Sequence, residues 1–422
     1  MKTYTLSIIL SVVLLGAQCG RPAQPPSQAT ETLPATQIRQ LTSGPLHHFA
    51  SAYYHIRSWD ASGRYLLCLR TEIANKNPEL GDTASVCIID VQNGQVREIA
   101  TTSAWNFQQG AMQQWLGSAP DSLVIFNDCR DGKFVAVIIN AFTGSTVKII
   151  DRPVSAVSHD GRCAVSINFA RLHQTRPGYG YAGAGQAARL NEDHPVDSGI
   201  FRVDLETGVS RLIVSLDQVF ELNPPPGRPD SLPFWFNHTL INRDDSRVFF
   251  LGRRAKEGGG WCTASYTVGL DGDSLRCLLD YDWGGSHFDW LSDERLLVTC
   301  WYQGGNPLTH LLLSDTESQN DRDYRVLGRG MLTNDGHGRF SDDGNWMVTD
   351  TYPMHGSRSL MLMRMNDDAL LRLGTFNDHT DIFDGPWRCD LHPAFDKSGR
   401  RLVFDSVDDG TRQVYLAELK FN

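Results

Sequence analysis

FDKSGRRLVFDSVDDGTRQVYLAEL (395–419) reads as a strand end, a tight polar turn, a second strand and a third, with no fourth strand after it. Six earlier stretches repeat its opening: WDASGRYLLC (59–68), WLGSAPDSLVIF (115–126), SHDGRCAVSI (158–167), NRDDSRVFFL (242–251), LSDERLLVTC (291–300) and SDDGNWMVTD (341–350). In each, a polar turn separates two short apolar runs, the pattern of a hairpin. A third strand follows every copy: SVCIID (85–90), FVAVIIN (134–140), GIFRVDL (199–205), ASYTVGL (264–270), HLLLSD (310–315), LMLMRM (360–365) and QVYLAEL (413–419). A fourth follows only the first six: QVREIA (95–100), TVKII (146–150), SRLIVS (210–215), LRCLLD (275–280), YRVLG (324–328) and LLRLG (370–374). The missing partner stands upstream, at 38–43, alone ahead of the first repeat.

That offset predicts the fold. A four-stranded antiparallel unit has open edges and cannot bury both faces by itself. Seven units in a ring bury their faces on one another, and pairing 38–43 with 413–419 closes the ring. The expectation is all-β: one seven-bladed β-propeller of four-stranded antiparallel blades over 37–422. A linear stack of repeats leaves the borrowed strand unexplained.

Composition narrows the function classes. Lys plus Arg number 39 against 49 Asp plus Glu, a net charge of −10. A general nucleic-acid binder needs a broad basic surface, so nucleic acid is not an expected partner. An acidic ligand needs a local basic patch. Lys2 followed by the apolar run Leu6–Ala17 reads as an export signal over 1–19, too short to span a bilayer. Cys19 ends it as in a lipoprotein signal, and 20–36 reads as a flexible linker. The expectation is a periplasmic or outer-membrane lipoprotein, with a possible lipid anchor. Gln18 departs from the small residue usual before such a cysteine. Cys68 and Cys87, and Cys262 and Cys277, fall in neighbouring predicted strands. Disulfides are one expectation for them and buried free thiols the other.

Histidines recur at the blade period. His238 in FNHTLIN, His287 in GGSHFDW, His337 in DGHGRFS, and Cys389 with His392 in WRCDLHPAF are spaced 49, 50 and then 52 or 55 residues apart. Ring closure brings such positions to one axial mouth, where they suit a divalent ion, Zn or Mn. The competing reading is a set of packing residues that bond backbone between blades.

The widest gap between repeats holds NFARLHQTRPGYGYAGAGQAARLNEDHPVDSGIFRVDL (168–205). Loops this long are usually functional or disordered. It carries Arg171, His173, Arg176, Tyr179, Tyr181, Arg189, His194 and, on the following strand, Arg202. Arginine grips carboxylates in bidentate fashion, and a tyrosine beside a cation can exchange protons. The competing reading is a surface lid whose arginines pair with Glu192, Asp193 and Asp197. In the second blade, Gln109 and Asn127 are candidates to bind sugar hydroxyls, or amides that satisfy strand ends.

RPGYGY, FNHTLIN, GGSHFDW, DGHGRFSDDGNWMVTDTYP and WRCDLHPAFDKSGRRLVFDS together resemble the propeller polysaccharide lyases, in two branches: the oligogalacturonate lyases and the ulvan lyases. The resemblance covers nearly all of 38–419. It implies β-elimination on uronic-acid-containing chains, an acidic oligosaccharide as partner, and a divalent metal (Mn, Zn or Ca). It puts a catalytic tyrosine at Tyr179 or Tyr181, a charge-neutralising arginine at Arg202, and metal ligands near His337, Cys389 and His392; the candidate substrate contacts Gln109, Asn127, His173 and Arg176 rest on the residues themselves. The chain also departs from both branches. Gln108, Gln109, Asn127 and Asp128 stand where the ulvan branch has second-blade histidines, and Cys389 stands where the other branch has a glutamine. Those departures keep a second expectation open, a non-catalytic carbohydrate-binding or assembly propeller of the cell envelope. A peptidase accessory propeller is the third, though no G-x-S-x-G elbow is present.

Overall fold

The polar residue of each repeat has a defined task. Asp60 Oδ1 accepts the amides of Arg64 and Tyr65 at 2.9 and 2.7 Å across its turn. Asp396 does the same for Arg400 and Arg401, and Asn242 for Ser246 and Arg247. Ser158 uses its hydroxyl on Arg162 and Cys163. A short acceptor side chain reaching its own turn is what makes Asp, Asn and Ser recur there.

These hairpins build seven antiparallel sheets of four strands in a computed structural model. It describes residues 36–420 apart from 51, 52, 55, 184–185, 228–231, 302–307 and 316–322. The expected leader, Cys19 and nearly all of the linker lie outside the described residues. Among those described, no helix is long and apolar enough to cross a membrane.

Blades are numbered 1 to 7 in chain order. Their innermost strands are His47–Phe49, Gln114–Trp115, Ala156–Val157, Phe234–Ile241, Phe288–Trp290, Arg339–Phe340 and Ala394–Phe395. The outermost strand of blade 7 is Thr36–Gln40, paired antiparallel with Gln413–Glu418 in the register Arg39↔Leu416 and Gln40↔Tyr415. Leu41 N–H adds a bond to Val414 O at 2.7 Å, and Thr42 Oγ1 donates to Gln413 Oε1 at 2.6 Å. The borrowed strand therefore closes the ring, starting slightly earlier than 38.

Apolar side chains fill the spaces between sheets. Between blades 6 and 7, Val348, Leu360, Leu362, Phe404 and Tyr415 form one buried cluster. Burial at about 25 cal/mol per Å² makes each such interface the main cohesive term.

Blade 1 differs from the reading of its first repeat. Trp59 makes only an isolated bridge to Leu66, and the inner strand proper lies upstream at His47–Phe49. The chain between them enters the central channel, where Tyr53, Tyr54 and Ile56 are buried. All eight described cysteines are free. Cys68 and Cys87 do sit opposite each other in register, but Cys262 faces Arg254 and Cys277 faces Tyr266.

The long insertion is ordered over the residues described. It starts with a helix, Phe169–Thr175, capped by the Asn168 side chain on Arg171 N–H. Arg171 is buried and spends its guanidinium on carbonyls of Phe234, Arg189, Glu192 and Asp193, which fixes the insertion to blade 4. Arg189 pairs with Glu192 and Asp197, and His194 stacks on Phe220. A Cβ on Gly180 would lie 2.2 Å from His173 N and Phe169 O, so only glycine lets RPGYGY lie against the helix.

Candidate functional site

Inner strands begin around one cavity of about 940 Å³. Tyr53, Tyr179, His238, His287, Tyr352 and Arg388 line its floor and sides, with Arg176 and Arg253 beside them. Trp261 and Trp301, both partly exposed, stand on its rim.

Three of the phased residues sit where the period places them, and one neighbour replaces another. His337, Asp390 and His392 are all buried, and one ligand atom from each lies within 4.8 Å of the other two. His337 Nε2, His392 Nε2 and both Asp390 carboxylate oxygens are buried without a hydrogen-bond partner. Arg358 and Arg388 approach Asp390 at 2.7 and 2.8 Å as ion pairs, but not in hydrogen-bond geometry. The Asp390 charge is thus met by two guanidinium groups, whereas the two imidazole nitrogens are left unmet, and buried polar atoms of that kind cost free energy unless a cation or donor meets them. Two imidazoles and a carboxylate are a fitting donor set for Mn or Zn.

Cys389 is not part of this group. Its thiol lies in an apolar cluster with Phe383 and Val407, where burial pushes it up to about 12. The thiol packs as a core residue, apart from the three ligand atoms. His287 stands next to the group, its ring centroid 4.0 Å from that of His337. Its Nδ1 faces Asp335 at 2.7 Å.

Asp350 organises the group from beneath. Its carboxylate receives the His337 amide at 2.7 Å, His337 Nδ1 at 2.9 Å, and the Leu391 and His392 amides at 3.0 and 3.3 Å. It thereby ties blade 6 to blade 7 and leaves His337 Nε2 facing the group, a common arrangement behind metal-bound histidines. Burial lowers His337, but the charge and hydrogen bond of Asp350 together with the charge of Asp390 outweigh it, and the net shift is upward. Burial holds His392 well below the usual histidine range, hence neutral. Burial raises Asp390, but Arg388 and Arg358 overcome it and keep it ionised.

His238 is held apart from the group. A bulge between Asn237 and Thr239 turns it inward, at φ 54. His392 is likewise left-handed, at φ 44. Two non-glycine residues in that region mark sites where geometry is kept at a cost. His238 Nε2 meets Tyr53 Oη at 3.0 Å, and its Nδ1 faces Gln109 Nε2 at 3.4 Å.

The two tyrosines of RPGYGY part ways. Tyr179 lines the cavity, and its oxygen accepts a bond from Arg388 Nη2 at 3.0 Å. Burial pushes its phenol up, yet Arg388 and Arg176 pull it down further, to about 8. Tyr181 points into the core, stacked on Phe169 with centroids 4.4 Å apart. Asn127 Nδ2 donates to its oxygen at 2.9 Å, and burial pushes it up.

The other sequence candidates divide the same way. Arg176 lines the cavity, its guanidinium 4.0 Å over the Trp261 ring. Asn127 holds Val154 through both its amide groups, and Gln109 braces His238, so neither lines the cavity. His173 sits on the insertion helix, outside the lining. Arg202 is on the outer part of blade 3 and pairs with Asp271 at 2.6 Å. The structure does not bring it to Tyr179. Sequence reading missed Tyr53, Asp350, Arg388 and Asp390. The last two flank Cys389 in WRCDLHPAF, in an irregular stretch ahead of the Ala394–Phe395 strand where no period tells the three apart.

No family model matches this chain, and no curated protein matches it. Among solved structures, an oligogalacturonate lyase in complex with manganese superposes over 93% of this chain and 95% of its own, at TM-score 0.63 and 16% identity. An oligogalacturonate lyase from Vibrio parahaemolyticus covers 92% and 96%, at TM-score 0.61 and 14% identity. The chain has the oligogalacturonate lyase fold. At such identities that similarity concerns architecture, and the chemistry rests on the side chains described above.

Proposed function

We propose that this chain is a metal-assisted polysaccharide lyase that cleaves uronic-acid-containing oligosaccharides, oligogalacturonate-like, by β-elimination. One observation carries the reading: Tyr179, pulled down to about 8, accepts a bond from Arg388, and the same Arg388 pairs with Asp390 of the His337–Asp390–His392 group. Both superposing structures are of oligogalacturonate lyases, which supports the same reading.

In β-elimination a base takes the proton beside the sugar carboxylate. The electron pair forms the new C=C bond, and the glycosidic C–O bond breaks as its oxygen takes a proton. The carboxylate resists the extra charge, so positive groups must face it. Arg176 and Arg253 present such charge at the cavity wall. A divalent ion held by His337, His392 and Asp390 would add Lewis-acid stabilisation. Tyr179 is suited to take the proton, because its ionised form is populated near neutral pH. Tyr53 is pushed well above the ordinary phenol value, first by burial, and keeps its proton. Two like groups driven apart by their surroundings are a natural base and acid.

The test is incubation of purified protein with oligogalacturonate and Mn. The expected result is a rise in near-ultraviolet absorbance from the unsaturated product, abolished by chelator. Saturable binding with no such rise on pectic, ulvan and glycosaminoglycan fragments would replace this reading with the non-catalytic propeller. The proposal includes export to the periplasm or outer membrane through the leader. Membrane fractionation of a Cys19→Ala variant tests the anchor, with release into the soluble fraction as the expected result.

A further inference from the structure

A second, lower cavity of about 540 Å³ is lined by Arg243, just past the end of the blade 4 inner strand, by Arg339 of the blade 6 inner strand, and by Lys397, just past that of blade 7. The channel segment that contributes Tyr53 above contributes Ile56 and Arg57 below.

The lower cavity has an unusual wall. Arg57, Arg243, Arg339 and Lys397 line it against the carboxylates of Asp60 and Asp342, a cationic surplus in a chain of net charge −10. Asp60 is already committed to its turn, accepting from Ser62, Arg64 and Tyr65. Asp342 is exposed. Arg57 Nη2 donates to His159 O at 2.8 Å, but Nη1 is buried with no partner. The next two residues repeat the pattern: Ser58 Oγ and Trp59 Nε1 are buried without partners, in side chains that are 2% and 8% exposed. Three consecutive residues thus hold unmet donors: guanidinium N–H, hydroxyl and indole N–H. A wall of donors is completed by a group that only accepts, and a carboxylate, sulfate or phosphate oxygen does so.

We infer that the lower mouth of the channel is a second ligand site, which takes a small oxyanion on Arg57, Ser58 and Trp59 with Lys397 at its entrance. The site is separate from the upper cavity and does not depend on the activity proposed for it. Its sources are distinguishable: an acidic sugar offers a carboxylate, whereas free anions or esters offer sulfate or phosphate.

The test is calorimetric titration of the full chain with sodium glucuronate, sulfate and phosphate at constant ionic strength. Saturable binding of at least one is expected, and the tightest identifies the source. Lys397→Glu, on an exposed side chain, should weaken it several-fold, and Arg57→Gln by about tenfold or more. Arg176→Gln, in the upper cavity, should leave it unchanged. No saturable binding overturns the inference. So does binding that survives both lower-mouth substitutions, or that Arg176→Gln abolishes. An unfolded Arg57→Gln, detected by its melting curve, leaves Lys397→Glu as the deciding variant.

Discussion

The upper cavity has two walls of different origin. One comes from blades 6 and 7, where Tyr352 and Arg388 line the cavity and Asp350, bonding amides of both blades, fixes His337 and His392 next to them. The other comes from the blade 3 insertion, where a seven-residue helix and glycine turns deliver Arg176 and Tyr179. The first wall belongs to the repeat and inherits its precision. The second is added to the repeat, and its key tyrosine is tuned by Arg388, a residue of the first wall. Chemistry therefore depends on the meeting of the walls rather than on either one.

Removing a group from the strand wall should have the largest effect. Asp390→Asn keeps the shape but removes the charge that Arg358 and Arg388 face. It should lower bound metal, read by elemental analysis, and cut kcat/KM by about 100-fold or more. Full metal content in this variant would break the comparison, since the strand wall would then not be the metal side. On the insertion wall, Tyr179→Phe should cut turnover by about 100-fold or more with metal content unchanged. Wild-type activity should rise with pH through about 8, as the phenol ionises. Arg176→Gln removes one of the cations that lower it, so that limb should move to higher pH. The sign follows for stability as well. The folded value of about 8 lies below the ordinary 10.0, so this group's contribution is complete above pH 10.0 and is lost as pH falls through 8. A limb that stays in place in Arg176→Gln assigns it to another group.

The fold was legible because turn chemistry repeats: Asp60, Ser158, Asn242 and Asp396 perform one task at one position, and a period needs no alignment to be seen. The strand wall was half legible for the same reason. His287, His337 and His392 keep the period, but Cys389 and Asp390 are adjacent in an irregular stretch ahead of the Ala394–Phe395 strand, and its local course puts the Cys389 thiol with Phe383 and Val407 and the Asp390 carboxylate with His337 and His392. The left-handed conformation at His392 is part of that irregular course. Tyr53 escaped notice because its segment leaves the blade to enter the channel, so no repeat predicts it. The insertion wall was the least legible. Its arginines and tyrosines were all plausible grips, yet Arg171 and Arg189 hold the loop itself, and the choice between Tyr179 and Tyr181 was made by partners far along the chain.

Those two tyrosines give the sharpest internal control. Tyr181→Phe removes a hydroxyl that accepts from Asn127, whose amide also donates to Val154 O. The expected cost is about 1 kcal/mol of stability, read by denaturant melt, with turnover near wild type. If Tyr181→Phe instead abolishes turnover while Tyr179→Phe does not, the roles on the insertion wall are reversed.

Arg202→Ala should do least. The residue stands one strand beyond the insertion, and a catalytic role for it requires its guanidinium to reach the cavity. Its Nη1 instead meets Asp271, which Arg211 also contacts, and the Asp271 side chain is 73% exposed. Exposed pairs of this kind contribute little, and the second arginine remains to hold Asp271. Melting temperature and kcat/KM should both stay at wild-type values. A large loss of turnover in a folded Arg202→Ala protein would mean that blade 3 moves its outer strand toward the cavity when substrate binds, and the division between the two walls would then hold only for the unliganded protein.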